Sequence, residues 1–334
     1  MTSFKALVTK EVRDGLFDSQ VETRELESLP EGELLIRVHY SSLNYKDALS
    51  ATGNRGVTRK FPHTPGIDAA GIIETSSNPD FKPGDKVIVT GYDLGMGTSG
   101  GFAEFIRVPS SWAVNLPAAL DMRQAMILGT AGLTAALCIE KLQVIGVTPD
   151  SGEILVTGAT GGVGSICVTI LSKLGYRVLA SSGKIDQASF LSDLGASMVI
   201  DRETLAEQSS RAIKKEQWAG AIDTVGGETL SNVLKSIQYQ GAVACCGLVS
   251  SPDFSTSIMP FIIRGVSLLG VDSVELPNAV KQKTWNKLAD EWNDLPLERL
   301  ATEITMDQLP AYIERIINGK MVGRVVVAVA AKDA

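Results

Sequence analysis

Histidine and cysteine are scarce in this chain, whose 334 residues include two histidines and four cysteines. Zinc sites draw mainly on imidazoles and thiolates, and no cysteine pair here has a metal-ligand spacing. Cys138 and Cys167 lie in apolar helical patterns, whereas Cys245 and Cys246 end an apolar strand pattern. We therefore expect four reduced, buried thiols and no metal site.

Positive charge is also in short supply, because 31 lysines and arginines are outnumbered by 38 aspartates and glutamates. Nonspecific nucleic-acid binding depends on positive charge that displaces the counterions of the phosphates. No uninterrupted run of about 18 apolar residues is found, and the segment that starts at Met1 lacks the apolar core of a signal peptide. We therefore expect a cytoplasmic protein without nucleic-acid or membrane partners.

The chain is rich in glycine, with 32 residues, and 44% of it is hydrophobic, as in globular proteins. One core rarely organises so many residues, so two domains are expected. Up to residue 123, short strand patterns between turns predict a small β-barrel. From residue 124 to 270, strand and helix patterns alternate, which predicts a doubly wound parallel sheet. The apolar strand pattern at 323–329 is expected to return to the first domain, which therefore includes residues 271–334.

Helical patterns in the second domain are predicted at 162–174, 186–194, 203–216 and 227–236. Strands are predicted at 153–157, 176–181, 198–200, 219–223 and 241–246. The pattern at 125–142 is apolar nearly all round, so this helix should be buried. Two further helices are predicted near 277–292 and 307–317.

The central motif is the stretch from Ile154 to Ser165, which reads ILVTGATGGVGS. It contains Ala159-x-Gly161-x-x-Gly164, a variant of the dinucleotide-binding fingerprint. The glycines allow a tight turn and close approach to a pyrophosphate, which would lie at the amino terminus of a helix. A strand-to-helix turn that binds nothing is the alternative, and the strand and helix context favours a dinucleotide.

The end of the next strand distinguishes between the two nicotinamide cofactors. An NAD site places an acid about 20 residues past the glycines, where it binds the ribose 2′-hydroxyl. Here Ser181, Ser182, Gly183 and Lys184 follow instead, and the ammonium would attract a 2′-phosphate. NADPH is therefore the predicted cofactor, and Arg202 is a second candidate cation. The alternative for Lys184 is a solvated lysine at a strand end.

Five segments together make the chain resemble the medium-chain dehydrogenase/reductase superfamily over nearly its full length. The resemblance implies an α/β protein in which a GroES-like catalytic β-barrel, residues 1–123 and 271–334, is joined to a Rossmann domain of residues 124–270. The segments are SLNYKD at 42–47, PGIDAAG at 65–71, GDKV at 84–87, GTAGLTA at 129–135 and GATGGVG at 158–164.

Shorter segments at 44–47, 259–264 and 271–273 are similar to the acryloyl-CoA reductase branch, whose members are often labelled quinone oxidoreductases. This resemblance implies zinc-independent, NADPH-dependent reduction of acryloyl-CoA to propanoyl-CoA. NADPH:quinone oxidoreduction is the alternative, and a cofactor-binding protein without catalysis is a third. Arg55, Arg59, Lys60 and Arg264 are candidate partners of the CoA phosphates in the first case. The branch also implies a homodimer, for which residues 267–273 are a plausible edge.

Zinc-dependent alcohol dehydrogenases of the superfamily carry a cysteine near the Asn44 segment and a histidine in the Pro65 segment. This chain has Asn44 and Tyr45 in the first segment, and Ile67 and Asp68 in the second. Both kinds of zinc ligand are missing, so zinc-dependent alcohol oxidation is disfavoured.

The resemblance places Tyr45 beside the nicotinamide, where its phenol would donate a hydrogen bond or a proton. Asn44 is a candidate donor to a carbonyl or to the cofactor. The alternative for Tyr45 is a wall residue, with water as the proton source, because a phenol is a weak acid. Lys46 and Asp47 are expected to form a structural ion pair or a cap.

Thr130 is a candidate contact near the nicotinamide, although a threonine that bonds its own helix is as plausible. Leu248 follows the strand at 241–246, at the strand end where open sheets bind ligands. The resemblance implies these cofactor contacts: Tyr45, Gly161, Gly162, Val163, Gly164, Ser182, Gly183, Lys184, Arg202, Leu248, Ile262, Ser273 and Asn318.

Overall fold

The computed structural model describes residues 3–206 and 211–329. These residues form two compact units, which we call the β unit and the α/β unit. The β unit comprises Met1–Thr130, Val274–Glu291 and Leu300–Ala334, and the α/β unit comprises Ala131–Ser273 and Trp292–Arg299. The functional domain boundaries expected after residues 123 and 270 stay predictions.

In chain order the strands are β1 (Ser3–Arg13), β2 (Leu16–Glu25), β3 (Leu34–Leu43), β4 (Asp68–Ser76), β5 (Lys86–Thr90), β6 (Phe105–Val108), β7 (Ala113–Asn115), β8 (Glu153–Val156), β9 (Arg177–Ser182), β10 (Met198–Asp201), β11 (Trp218–Asp223), β12 (Ile237–Cys245), β13 (Ser267–Gly270), β14 (Ala301–Thr305) and β15 (Arg324–Ala328). The helices are α1 (Tyr45–Ala51), α2 (Met122–Val144), α3 (Gly162–Lys173), α4 (Ala188–Asp193), α5 (Glu203–Ala206), α6 (Gly227–Leu234), α7 (Met259–Arg264), α8 (Asn278–Asp290), α9 (Leu297–Leu300) and α10 (Leu309–Ile317).

The β unit is built on a sheet with the strand order β14, β15, β3, β4, β5, β7, and β6 pairs with β3 off this path. Strands β1 and β2 form a separate antiparallel pair. The last strand returns to the first part of the chain, as predicted, because Val325 pairs with Leu43 and Val326 with Ser42. This pairing brings Arg324, the first residue of β15, close to the end of β3.

The α/β unit contains a parallel sheet with the strand order β10, β9, β8, β11, β12, β13. This is the order of a doubly wound Rossmann sheet, so the predicted fold class is confirmed. The apolar run of β8 is central, and Ile154, Leu155 and Val156 are fully buried. The carboxyl ends of β8 and β11 flank the point where the strand order reverses, which is where such sheets bind ligands.

The helix predicted at 203–216 is confirmed at Glu203–Ala206 and wrong at 211–216. Helix α5 ends at Ala206, and residues 207–210 lie outside the described residues. The backbone N–H of Lys214 donates to the carbonyl of Lys235 at 2.8 Å, and Gln217 N–H donates to Ser236 O at 2.8 Å. Tertiary backbone bonds therefore replace helical ones here. The sequence patterns also led to no prediction for β2, β7, β14, α1, α7 or α9.

Helix α2 meets the length and hydropathy criteria for a membrane span, which the search for uninterrupted apolar runs missed. Its most apolar window is 83% buried, as in the core helix of a globular protein, and this agrees with the predicted burial. The helix is not continuous, because Gly129 takes φ 52° and ψ −155°. The chain passes from the β unit to the α/β unit immediately after this break.

Candidate active site

The glycine-rich loop of the α/β unit joins β8 to α3 as the fingerprint predicts. Gly158 has a positive φ of 60°, a conformation that favours glycine. Gly161 is the N-cap of α3, and its N–H donates to Gly158 O at 2.9 Å. A Cβ on Gly164 would lie 2.4 Å from Gly158 O, so only glycine allows this close packing of helix on loop. Gly162, Val163 and Gly164 form the first turn, whose N–H groups suit a pyrophosphate.

A buried aspartate that the sequence analysis did not select holds this loop in place. Asp223, at the end of β11, accepts hydrogen bonds from Thr157 Oγ1 at 2.7 Å and from Gly226 N–H at 2.7 Å. Burial raises the pKa of Asp223, and these hydrogen bonds oppose that effect. The carboxylate therefore links the loop after β8 to the loop after β11. Its position at a strand end is the only signal in the sequence.

Two cations lie together at the end of β9, as the prediction of a 2′-phosphate site requires. The side chain of Arg202 lies so close to Gly183 that a Cβ there would be 2.6 Å from Arg202 Nε. Burial lowers the pKa of Lys184, and the Arg202 charge lowers it further, while Asp186 acts in the opposite direction. The ammonium of Lys184 and the guanidinium of Arg202 repel each other, and an anion bound between them would stabilise both charges.

Ser182, at the end of β9, and Asp201, at the end of β10, each make hydrogen bonds within the protein. Ser182 Oγ lies 3.0 Å from Thr160 Oγ1 and accepts the backbone N–H of Lys184 at 3.0 Å. Asp201 ends the neighbouring strand, and its carboxylate accepts the N–H of Glu203 at 2.9 Å. The acid closest in register therefore caps α5.

The β unit contains a polar cluster around Asp68, which is fully buried. Asp68 Oδ2 accepts hydrogen bonds from Ser42 Oγ at 2.6 Å, Asn44 Nδ2 at 2.8 Å and Thr130 N at 3.0 Å. Asp68 Oδ1 accepts one from Thr130 Oγ1 at 2.6 Å. Gly129 permits this arrangement, because a Cβ there would lie 2.5 Å from Asp68 Oδ2. The Asp68 cluster thus joins two predicted site residues, Asn44 and Thr130.

Arg324 completes the Asp68 cluster and was not selected from the sequence. The side chain is 3% exposed and donates to Ser42 Oγ at 2.9 Å, Asn44 Oδ1 at 3.2 Å and Ile127 O at 2.8 Å. Burial lowers its pKa, and the charge of Asp68 opposes this. No local motif marks Arg324, which lies more than 190 residues from every partner named here.

Asp47 is a second buried carboxylate in this region, and it acts as a cap. It accepts the N–H of Asn44 at 2.7 Å and the N–H of Ile67 at 2.8 Å. Burial, together with the charge of Asp68, raises the pKa of Asp47 to about 7. The expected cap is therefore present, and among the described residues Lys46 forms no ion pair with it.

Tyr45 is the first residue of α1 and is half-buried. Among the described residues its phenol has no hydrogen-bond partner. The amide of Asn44 is already engaged, because Nδ2 donates to Asp68 and, at 3.3 Å, to Ser42 O. The hydroxyl hydrogen of Thr130 goes to Asp68 and not to its own helix. The structure thus leaves Tyr45 as the donor candidate with an open hydroxyl.

Four of the cofactor contacts implied by resemblance differ in their exposure and in their hydrogen bonds. The side chains of Leu248 and Ile262 are exposed, by 58% and 67%. Ser273 is buried and accepts a hydrogen bond from Thr134 Oγ1 at 2.8 Å. Asn318 is exposed, and its amide donates to Glu314 O at 2.8 Å in its own helix. Their roles as cofactor contacts stay predictions.

Two of the four cations suggested for the CoA phosphates have other partners. Arg264 donates to the carbonyls of Lys235 and Lys214, and its side chain is 12% exposed, so its assignment to a phosphate was wrong. Arg55 pairs with Glu11 at 2.6 Å. Arg59 and Lys60 are exposed.

Comparison with known proteins identifies the family to which the chain belongs. Residues 30–118 match the alcohol dehydrogenase GroES-like domain, and residues 162–292 match the zinc-binding dehydrogenase family. The acrylyl-CoA reductase AcuI of Ruegeria pomeroyi is 43% identical over 330 residues, which cover 98% of this chain and 99% of that protein. The chain belongs to the medium-chain dehydrogenase/reductase superfamily. This confirms the predicted family.

Solved structures of the same superfamily carry two different cofactors. The yhdH oxidoreductase of Salmonella enterica in complex with NADP has a TM-score of 0.94 and 45% identity, covering 98% of this chain and 100% of that chain. The Bacillus subtilis protein yhfP with NAD bound has a TM-score of 0.95 and 41% identity, with the same coverage. The quinone oxidoreductase of Sus scrofa is 28% identical over 72% of this chain and 71% of that protein.

The name of the matched family implies zinc, and the residues present do not fit that metal. Asn44 and Ile67 offer neither thiolate nor imidazole, and both oxygens of Asp68 accept hydrogen bonds from protein donors. Within residues 3–206 and 211–329, no three His, Cys, Asp or Glu side chains are grouped as metal ligands. The four cysteines are free thiols, buried at 138 and 167 and half-buried at 245 and 246.

Proposed function

We propose that this protein is an NADPH-dependent, zinc-independent reductase of the activated C=C bond of an α,β-unsaturated acyl-CoA, converting acryloyl-CoA to propanoyl-CoA. The observation that carries the proposal is the 43% identity to an acrylyl-CoA reductase over 98% of the chain. Similarity over the full length supports the reaction more than any single short motif does.

The choice of NADPH depends on the cation pair at the end of β9. The relatives with known structures bind NADP in one case and NAD in another, so similarity alone does not select the cofactor. Lys184 and Arg202 lie close enough to repel each other, and Asp201, the acid that ends the neighbouring strand, caps a helix. A 2′-phosphate would neutralise this pair, whereas a 2′-hydroxyl would not.

When bound, NADPH supplies a hydride to the β-carbon of the unsaturated thioester. The protein then has to stabilise negative charge on the thioester oxygen and deliver a proton to the α-carbon. We assign the donor role to Tyr45, because its phenol has no partner among the described residues. Asn44 is less suited to that role, since its amide hydrogens are directed to Asp68 and Ser42. Water is the alternative proton source.

The decisive experiment is a steady-state assay of NADPH and NADH oxidation with acryloyl-CoA, crotonyl-CoA and a panel of small quinones. We expect acryloyl-CoA to give the highest kcat/KM with NADPH. Reduction of quinones alone would overturn the proposal in favour of quinone oxidoreduction. In the same assay, an unchanged kcat for Tyr45→Phe would show that the phenol is not the proton donor.

Quinone oxidoreduction is the second candidate because proteins with that name also match the chain. Arg55 and Arg264 pair with Glu11 and Glu216, which leaves Arg59 and Lys60 as the members of the basic set suggested for CoA that form no ion pair among the described residues. Replacing both with alanine should raise KM for acryloyl-CoA and leave KM for a quinone unchanged. NADPH binding without turnover of any electrophile would instead indicate a cofactor-binding protein without catalysis.

The proposal includes a cytoplasmic homodimer without nucleic-acid or membrane partners. Support for the dimer comes from β13, which is the last strand of the α/β sheet and is only half-buried. Unpaired edge strands of this kind are templates for pairing with a second copy. Sedimentation equilibrium should give twice the 35.5 kDa chain mass.

A further inference from the structure

Asp68 and Arg324 determine the direction of every hydrogen bond between them. A carboxylate only accepts hydrogen bonds and a guanidinium only donates them. Ser42 Oγ lies between the two, 2.6 Å from Asp68 Oδ2 and 2.9 Å from Arg324 Nη2. Its hydroxyl must therefore donate to Asp68 and accept from Arg324. No other orientation satisfies both neighbours.

The same reasoning fixes the amide of Asn44. Its Nδ2 donates to Asp68 at 2.8 Å, and its Oδ1 accepts from Arg324 at 3.2 Å. A flipped amide would place an oxygen against the carboxylate and an NH2 group against the guanidinium. The side chain next to Tyr45 is thus held in one orientation by opposite charges at its two ends.

Thr130 is constrained most strongly, because it makes two hydrogen bonds to one carboxylate. Its N–H donates to Asp68 Oδ2 at 3.0 Å, and its hydroxyl donates to Asp68 Oδ1 at 2.6 Å. A hydroxyl has a single hydrogen. Any hydrogen bond between Thr130 Oγ1 and a ligand is therefore one that Thr130 accepts, which selects a ligand N–H or O–H and rejects a thioester oxygen.

We propose that Asp68 is a positioning residue that fixes Asn44 and makes the Thr130 hydroxyl an acceptor for an N–H or O–H group of the bound dinucleotide. A carboxamide NH2 and a sugar hydroxyl are the groups of NADPH with this chemistry. This inference rests on the proposed function for the identity of the ligand. Stability alone is a weak reason for the arrangement, since apolar residues of similar volume often replace buried charge networks without loss.

The test is a mutant cycle read in the dissociation constant of NADPH, measured by nicotinamide fluorescence. Thr130→Val and Asp68→Asn should each raise this constant about fivefold, the loss expected for one hydrogen bond of about 1 kcal/mol. The double variant should also show about a fivefold rise, because both changes remove the same interaction. A rise of about 25-fold in the double variant would mean independent roles and would overturn the proposal.

Two matched variants separate positioning from a general effect of losing a buried hydroxyl. Thr130→Ser keeps the hydroxyl and should bind NADPH within about twofold of the wild type. Thr169→Val removes a buried hydroxyl that only bonds Ser165 O in its own helix, and it should also leave binding unchanged. If Thr130→Ser weakens binding as much as Thr130→Val does, the hydroxyl is not the recognised group.

Should Asp68→Asn fail to fold, the comparison of Thr130→Val with Thr130→Ser carries the test, because neither variant changes the carboxylate of Asp68. An NADPH dissociation constant of Thr130→Val equal to that of the wild type would then overturn the proposal. The NADPH readout does not depend on which electrophile the enzyme reduces. A wild type that reduces only quinones would therefore remove the acyl-CoA function and leave the positioning test intact.

Discussion

The glycine loop of the α/β unit and the Asp68 cluster of the β unit orient their hydrogen-bonding groups in different ways. The loop relies on backbone geometry within the single stretch Ile154–Ser165, and the cations beside it, Lys184 and Arg202, are at least partly exposed. The Asp68 cluster relies on side chains that are mostly buried and that come from distant parts of the chain. The comparison indicates that local sequence specifies the loop, whereas the complete fold specifies the cluster.

The largest expected difference is in the free energy of unfolding that is lost when an arginine of each unit is replaced: Arg324 in the β unit and Arg264 in the α/β unit. Arg324→Met should lower the free energy of unfolding by about 3–5 kcal/mol, because it leaves the Asp47 and Asp68 carboxyls without their cation. Arg264→Met in the α/β unit removes bonds to backbone carbonyls and an ion pair with the exposed Glu216, and it should cost about 1–2 kcal/mol. Denaturant unfolding measures both values. Equal losses would contradict the special role of the carboxylates.

The second prediction concerns pH and follows from the raised pKa of Asp47, about 7 against an ordinary 3.8. Between these values the folded state retains a proton that the unfolded state releases. The wild type therefore loses stability as pH rises from about 4 to 7, by up to about 1.4 kcal/mol per pH unit.

Asp47→Asn cannot ionise and should lack this loss. Its Tm deficit relative to the wild type should therefore shrink between pH 5 and pH 7, and a constant or growing deficit would show that Asp47 is ionised in the folded protein. Asp223→Asn provides the matched case in the α/β unit, where burial also raises the pKa. The same direction of change is expected there.

The third prediction compares two of the four glycines in the loop, Gly164 and Gly161. Gly164→Ala places a methyl group 2.4 Å from Gly158 O and should cost about 1–3 kcal/mol of stability. Gly161→Ala is the control, since its φ of −78° suits alanine and its closest contact would be 3.2 Å. We expect an unchanged Tm for Gly161→Ala. A lower Tm for that variant as well would mean that both glycines serve packing.

The sequence predicted the regions that depend on local chemistry. The strand, loop and helix at 153–173 and the cations at 184 and 202 follow from short-range patterns, and the structure places those two cations together. The helix predicted at 203–216 was wrong at 211–216, because backbone bonds to residues 235 and 236 outweigh the helical pattern there. Arg324 was missed because only the pairing of β15 with β3 brings it to Ser42. A single sequence contains no signal for such a contact.

The smallest predicted effect concerns the partly exposed cation pair at the end of β9, Lys184 and Arg202. Lys184→Ala should raise the KM for NADPH about tenfold, the value of one charge-assisted hydrogen bond, and change the KM for NADH less than about twofold. Lys173→Ala, in the last turn of α3, is the matched control and should change neither. Equal effects of Lys184→Ala on both cofactors would mean that Lys184 does not contact the 2′-phosphate. Because Arg202 is exposed and Lys184 is partly exposed, the selectivity should also fall as salt is added, whereas the effects of Asp68 and Arg324 should not.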